Sequence, residues 1–218
     1  MVSFSNDTDI LKYEPILFGE LHLPWQVLAS GTDGSISGTT FTSAGADHIA
    51  AQVEAGGVIY MQSEDGSPDG AYEIVSVDSA TQLTVSVLRA DSQAAAIAPP
   101  PGTDISWRIS TFAPQANEVG FRLTEYFNLS PGNPASDLDV EDILDASVLR
   151  QTSVFAIIAC VYATLASRTE DENLWKKSIH YHHLAVKARQ RCRLSIDEDE
   201  DGIAEVTMHG DCGRLVRD

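Results

Sequence analysis

The sequence predicts an α+β fold: a helical core of about three to four helices, a small β-barrel or sandwich inserted into it, and a C-terminal β-hairpin with an arm. Three observations carry this prediction. Short β-branched and aromatic runs recur between Trp25 and Thr111, helical periodicity takes over from Pro114, and strand-like alternation returns after Arg193. The implied division is 1–24 as an N-terminal helical segment of the core, 25–112 as the inserted β domain, 113–193 as the helical core, and 194–218 as the hairpin and arm.

Taken in order, residues 8–23 carry apolar Ile10, Leu11, Ile16 and Leu17 at helical spacing, interrupted by Pro15 and closed by Pro24. Candidate strands follow at 26–30, 39–42, 58–62, 72–77, 83–88 and 105–110, separated by Gly, Pro, Asp and Ser. The runs at 72–77 and 83–88 flank Asp78-Ser79-Ala80-Thr81 and predict a hairpin, whereas 46–55 reads as a short helix between strands. Gly31 to Gly38 has the wrong glycine spacing for a phosphate loop and no following Lys, so it predicts a hairpin turn. Residues 94–102 form a stiff, Pro-rich connector. Helices are expected at 115–129, at 139–167 with an acidic first turn and either continuous or broken near Ala146, and from Thr169 to about Arg193, the last opened by a Thr169/Glu172 capping box. The closing runs 193–196 and 204–209 alternate around a turn at 197–202 and predict a hairpin.

The chain of 218 residues has 14 Lys+Arg against 32 Asp+Glu, a formal net charge of −18. That field disfavours a free-standing duplex-DNA binder and attachment to anionic membranes. Residues 1–112 hold 14 acids and 3 bases, residues 113–218 hold 18 and 11, and 173–193 hold six bases and no acid. The protein is therefore acidic with one basic helix. Residues 1–9 carry Asp7 and Asp9 where a secretory signal would carry bases, so no signal is expected there, and the odd set Cys160, Cys192 and Cys212, without a CxxC pair, fits neither a disulfide scaffold nor a zinc site. The apolar run 154–166 falls short of the roughly 20 residues that span a bilayer, so it predicts a buried helix and no membrane partner.

Asp197, Asp199 and Asp201, followed by Gly202 and then Glu205, match the opening of a calcium loop, in which alternate carboxylates converge on one hard cation. The twelfth position, where a bidentate Glu belongs, is Met208. Two readings stay open, a weak calcium site and a solvated acidic hairpin tip; no other cofactor is indicated. On a helix, Lys176, His180, His183, Lys187 and Arg191 share one basic face, with Trp175, Ile179, His182 and Val186 as an adjoining apolar stripe. No carboxylate accompanies these histidines as in a zinc-binding H-E-x-x-H, and the stripe is better suited to acidic surface on a neighbouring copy, such as 137–145, than to nucleic acid. No nucleophile elbow or paired acid and base is visible, so no enzymatic activity is expected.

Residues 148–166 are apolar nearly all round, and such a helix in water must be covered on nearly all sides. A neighbouring subunit is the expected source of that cover. With TFTSAGAD (40–47), EAGGVIYM (54–61), DGAYEIVSVDSATQLTVSVLRAD (69–91), TFAPQ (111–115), the apolar helices, the acidic hairpin and the closing CGRLVRD (212–218), the chain resembles head–tail connector proteins of long-tailed bacteriophages. The resemblance implies a structural virion protein at the neck, assembled in the bacterial cytoplasm into a ring of about twelve copies. Its implied partners are the portal protein, the next tail-interface (stopper or terminator) protein, and double-stranded DNA passing without specific contact. It also implies that Arg214, Leu215, Val216 and Arg217 engage the portal. Carboxylates repel phosphates, so Asp137, Asp139, Glu141, Asp142 and Asp145, or the hairpin acids, are expected to line the channel. The competing expectation is a phage tail or capsid accessory module that uses the β domain to contact protein or carbohydrate.

Overall fold

A computed structural model describes residues 2–199 and 201–211 in full and the backbone of 215–217. The fold is mixed α+β and divides into two compact units, one formed by Asn6–Phe112 and one by Met1–Ser5 with Ala113–Asp218.

The first unit is a closed six-stranded barrel. Its strands are β1 (Val27–Ser37), β2 (Thr40–Thr42), β3 (Val58–Gln62), β4 (Asp69–Ser79), β5 (Gln82–Ser86) and β6 (Gly102–Ser110), in the order β1-β2-β5-β4-β3-β6. Every neighbouring pair is antiparallel, and closure removes the exposed edges that an open sheet would carry. Alternate residues point inward: Ile59 and Met61 from β3, Leu83 and Val85 from β5, and Ile105, Trp107 and Ile109 from β6. Each such burial contributes about 2 kcal/mol.

Gly31 and Gly34 do not form a turn. They lie within β1, where the pairing with β6 slips between them, and a Cβ at either position would sit 2.8 Å from the Trp107 indole. The glycines make room for a buried ring; the turn itself falls at Gly38, with φ +60°. Residues 46–55 are likewise turns rather than the expected helix. The His48 amide bonds across to the Ala80 carbonyl at 2.8 Å, and Gln52 has φ +57°, which breaks helical continuity.

The opening segment belongs with the barrel, not with the helical core. The helix α1 (Asp7–Leu11) starts at a capping box in which the Asn6 side chain accepts from the Asp9 amide. Thr8 Oγ1 donates to the Gly56 carbonyl at 3.0 Å, and Arg108 Nη2 donates to the carbonyls of Phe18 at 3.0 Å and Gly19 at 2.8 Å. Phe18 meets Phe112 edge to face at 5.1 Å. The buried carboxylate of Asp7 accepts from the Phe112 amide at 2.8 Å, so the two ends of the unit are tied to each other. Only Met1–Ser5 groups with the helices.

The second unit contains α2 (Ala113–Tyr126), α3 (Arg150–Thr169) and α4 (Glu172–Arg191), with a sheet of β7 (Arg193–Ile196), β8 (Val206–His209) and β9 (Leu215–Arg217). The expected helix over 139–167 is broken near Ala146, as one of its two readings has it: a 3-10 turn occupies Ala146–Leu149, α3 begins only at Arg150, and 139–145 is not helical. Its supposed acidic first turn is irregular: Asp142 accepts from the Asp139 amide and Asp139 from the Glu141 amide, both at 2.6 Å. Aspartates that bond nearby backbone in this way compete with helix. The segment lies along β7 instead, with Ile143 bridged to Ile196 and the Leu144 amide bonded to the Ser195 carbonyl at 3.0 Å. The Thr169/Glu172 capping box is also absent. Asp171 caps α4 through the Asn173 amide at 2.7 Å, while Glu170 makes the corner with φ +53°.

Eleven of the twenty residues of α3 are buried, so this chain supplies most of the cover expected from a neighbour. By length and composition Ala146–Thr169 could cross a membrane, but 61% of its most apolar window is buried, which is the pattern of a core helix. The packing stripe of α4 is one position away from the apolar stripe predicted for it. Ser178, Ala185 and Ala188 are buried, Ser178 Oγ donates to the Ala159 carbonyl at 2.9 Å, and Tyr181 stacks on Tyr162. Small side chains there bring α4 close to α3.

Candidate functional site

The predicted apolar stripe of α4 becomes one wall of an open groove of about 440 Å³, with Trp175, Ile179, His182 and Val186 along it. Val119, Arg122 and Leu123 of α2 form the facing wall. The floor is α3, where Ala156, Ala159, Cys160 and Ala163 present only small groups. A floor of small residues between two raised helices leaves a trough, and water meets apolar walls: Trp175 is 50% and Ile179 42% exposed.

Arg189 closes one side of the groove. Its guanidinium stacks on the Tyr126 ring at 3.8 Å, and its buried Nε has no hydrogen-bond partner among the described residues. A cation over an aromatic face is attracted by the ring. No carboxylate among the described residues forms an ion pair with it. Arg122, on the other wall, is already engaged by Glu118 at 2.8 Å on an exposed surface. Burial pushes the Cys160 thiol above its ordinary range, so it sits in the floor as a neutral apolar group.

The predicted basic stripe lies beside this groove. Lys176, His180, His183, Lys187 and Arg191 are all exposed, and Lys176 pairs with Glu172 at 3.0 Å. An exposed pair of that kind contributes less than about 1 kcal/mol, so the stripe stays available to a partner. The three helix histidines, His180, His182 and His183, are each exposed.

The predicted acidic segment is a second exposed surface of the same unit. Asp137, Asp139, Glu141 and Asp145 are exposed and Asp142 is half-buried. Leu144 stands among them with 46% of its surface exposed, next to Ile143, which is buried at 7%. The isolated bridge to Ile196 goes with burial of Ile143, while Leu144, in the turn that follows, is left outward. Hydrogen bonds from the Ser147 hydroxyl and then from its amide hold the Asp145 carboxyl below the usual carboxylate range.

At the hairpin, Asp197, Asp199, Asp201 and Glu205 bring carboxylate oxygens within 4.8 Å of one another. The loop already closes on its own backbone. Asp197 accepts from the amides of Asp201 at 3.1 Å and Gly202 at 2.7 Å, and Glu205 accepts from the Glu198 amide at 2.7 Å. Of the residues expected to engage a portal, Arg214 lies outside the described residues. Leu215, Val216 and Arg217 form β9, whose backbone pairs antiparallel with β8.

Sequence reasoning found the α4 wall, the basic stripe and the acidic segment but missed the groove itself. The signal was present as small residues at helical spacing, Ala156, Cys160 and Ala163. A small-residue strip on one helix becomes a trough only when two others are known to flank it.

No family model matches the chain, no curated protein matches it, and no solved structure matches it.

Proposed function

We propose that this chain is a structural virion protein, a head–tail adaptor that assembles into a closed ring of about twelve copies beneath the portal of a long-tailed phage. The ring extends the DNA channel, meets the next tail-interface protein on its far side, and is built in the host cytoplasm before it serves at the virion neck. No catalytic step is part of this role. The observation that carries the reading is that one helical unit exposes two complementary surfaces: a cationic helix beside an apolar groove, and an acidic segment with an outward leucine. A subunit with a surface and its complement at separate places associates head to tail, and such contacts close into rings when the rotation permits.

The net charge of −18 supports the same reading. A channel that passes DNA must offer phosphate nothing to hold, and lumen-facing carboxylates of 137–145 or of the hairpin Asp197, Asp199 and Asp201 meet that need. A weak calcium site in the hairpin and portal contact through 214–217 remain parts of this proposal. The test is direct: the purified protein is mixed with the cognate portal and the complex is imaged. A ring stacked on the portal is expected, and a portal that remains bare sinks the reading.

A second reading, an accessory module that contacts protein or carbohydrate through its barrel unit, is favoured by the exposed Trp25, Ile49 and Ile97 of that unit, at 57%, 62% and 54%. It predicts a monomer both alone and with portal.

A further inference from the structure

The groove between α2 and α4 asks for an occupant of definite chemistry. It needs an apolar side chain small enough to lie on a floor of alanine and cysteine, and carboxylates beside it for Arg189 and for the exposed Lys187 and Arg191. The acidic segment of this chain has that composition: Leu144 exposed at 46%, with Glu141, Asp142 and Asp145 around it.

The segment cannot reach the groove of its own chain without coming apart. Its backbone is tied to β7 by the Ile143 bridge to Ile196, by the Leu144 amide on the Ser195 carbonyl at 3.0 Å, and by the Asp197 amide on the Asp142 carbonyl at 2.9 Å. The same ties hold Leu144 in a fixed, outward pose. A preorganised anchor surrounded by charge loses little conformational freedom on docking.

We infer that the groove receives the 137–145 segment of a second copy, with Leu144 seated between Trp175 and Leu123 over Cys160 and with a carboxylate of that copy on Arg189. This inference rests on the proposed ring and deepens it by naming the contact that joins its copies. The interface is heterologous, since each chain offers a groove to one neighbour and a segment to the other. Burying the segment between copies leaves the neighbouring hairpin, with Asp199 and Asp201 exposed, as the acidic surface that faces the channel.

The experiment uses the full chain carrying Ser147→Cys and Cys212→Ala, so that Leu144 stays in place and the part-exposed Cys160 and the new exposed thiol are the reactive pair while Cys192 stays buried. The protein is concentrated, or mixed with cognate portal, and treated with a short bifunctional maleimide. A ladder of covalent dimers, trimers and larger species is expected, falling at least about tenfold when Cys160→Ala is added; Arg189→Ala in the uncrosslinked chain should weaken self-association by about tenfold. If sedimentation or imaging shows rings but no ladder dependent on Cys160 forms, the docking contact is wrong and the ring stands. If the protein stays monomeric at every concentration and with portal, the ring and the contact fall together.

Discussion

Asp7 supplies a measurable signature of the barrel unit. Its side chain is buried, it accepts from the Phe112 amide at 2.8 Å and from the Thr111 hydroxyl, and burial outweighs both bonds, raising its pKa from 3.8 to about 6. A rise of that size is about 3 kcal/mol of preference for the protonated form. The folded state therefore holds this proton more tightly than the unfolded state does. The contribution is fully present below pH 3.8 and is lost as the pH climbs to about 6, beyond which the fold carries a buried charge. Asp7→Asn keeps an oxygen for the Phe112 amide and removes the titration. The stability of the variant relative to the parent should rise by about 3 kcal/mol between pH 3.5 and pH 7, with a slope of about 1.4 kcal/mol per pH unit in the middle of that range. Urea unfolding followed through buried Trp107, in a background with Trp25→Phe and Trp175→Phe, reports on this unit alone. A difference that stays flat with pH to within about 1 kcal/mol would mean that Asp7 titrates in the fold as an exposed carboxylate does, and the reasoning from burial would fail.

His48 should act over a different window with the opposite sign. It is fully buried with neither ring nitrogen bonded among the described residues, and burial lowers its pKa below 6.5 against the opposing charges of Asp47 and Asp33, so barrel stability falls as pH drops below 6.5. His48→Leu removes that fall, and a ring resonance titrating at 6.5 or above contradicts it. Glu73 and Arg89 form a buried bidentate pair, with Nη2 to Oε1 at 2.7 Å and Nε to Oε2 at 3.1 Å. Glu73→Leu should cost about 3–5 kcal/mol in urea unfolding, and adding Arg89→Met should recover part of it; a double variant less stable than the single one refutes this account. A Cβ at Gly120 would collide with the Val2 carbonyl oxygen, so Gly120→Ala should free residues 2–5 to proteolysis at unchanged α2 helicity, and unchanged protection counts against that crossing. Calcium titrated calorimetrically should bind the hairpin at about millimolar affinity, because Asp197 and Glu205 already accept backbone amides; micromolar binding would show that the loop rearranges.

Legibility in the sequence followed the range of the interactions. The β3 limits 58–62 and the β7–β8 hairpin were readable because alternation and turn chemistry act over a few residues. The stretch 139–145 misled because helix N-termini and aspartate-rich turns share a composition, and only the bridge to Ile196 decides between them. Gly31 and Gly34 misled similarly, since their reason is Trp107, more than seventy residues away in sequence.

The α+β class, the strand-rich 25–112 region and the acidic balance with one basic helix can all be read along the chain. Those are properties of composition and local period. Tertiary structure alone decided that the strands close into a barrel, that residues 6–24 join that barrel, and that the apolar face of α4 borders a groove instead of a core. Each of these depends on which distant surfaces meet. A helical period shows that a face is apolar, but whether another part of the same chain covers it is settled only by the packing of the helices around it.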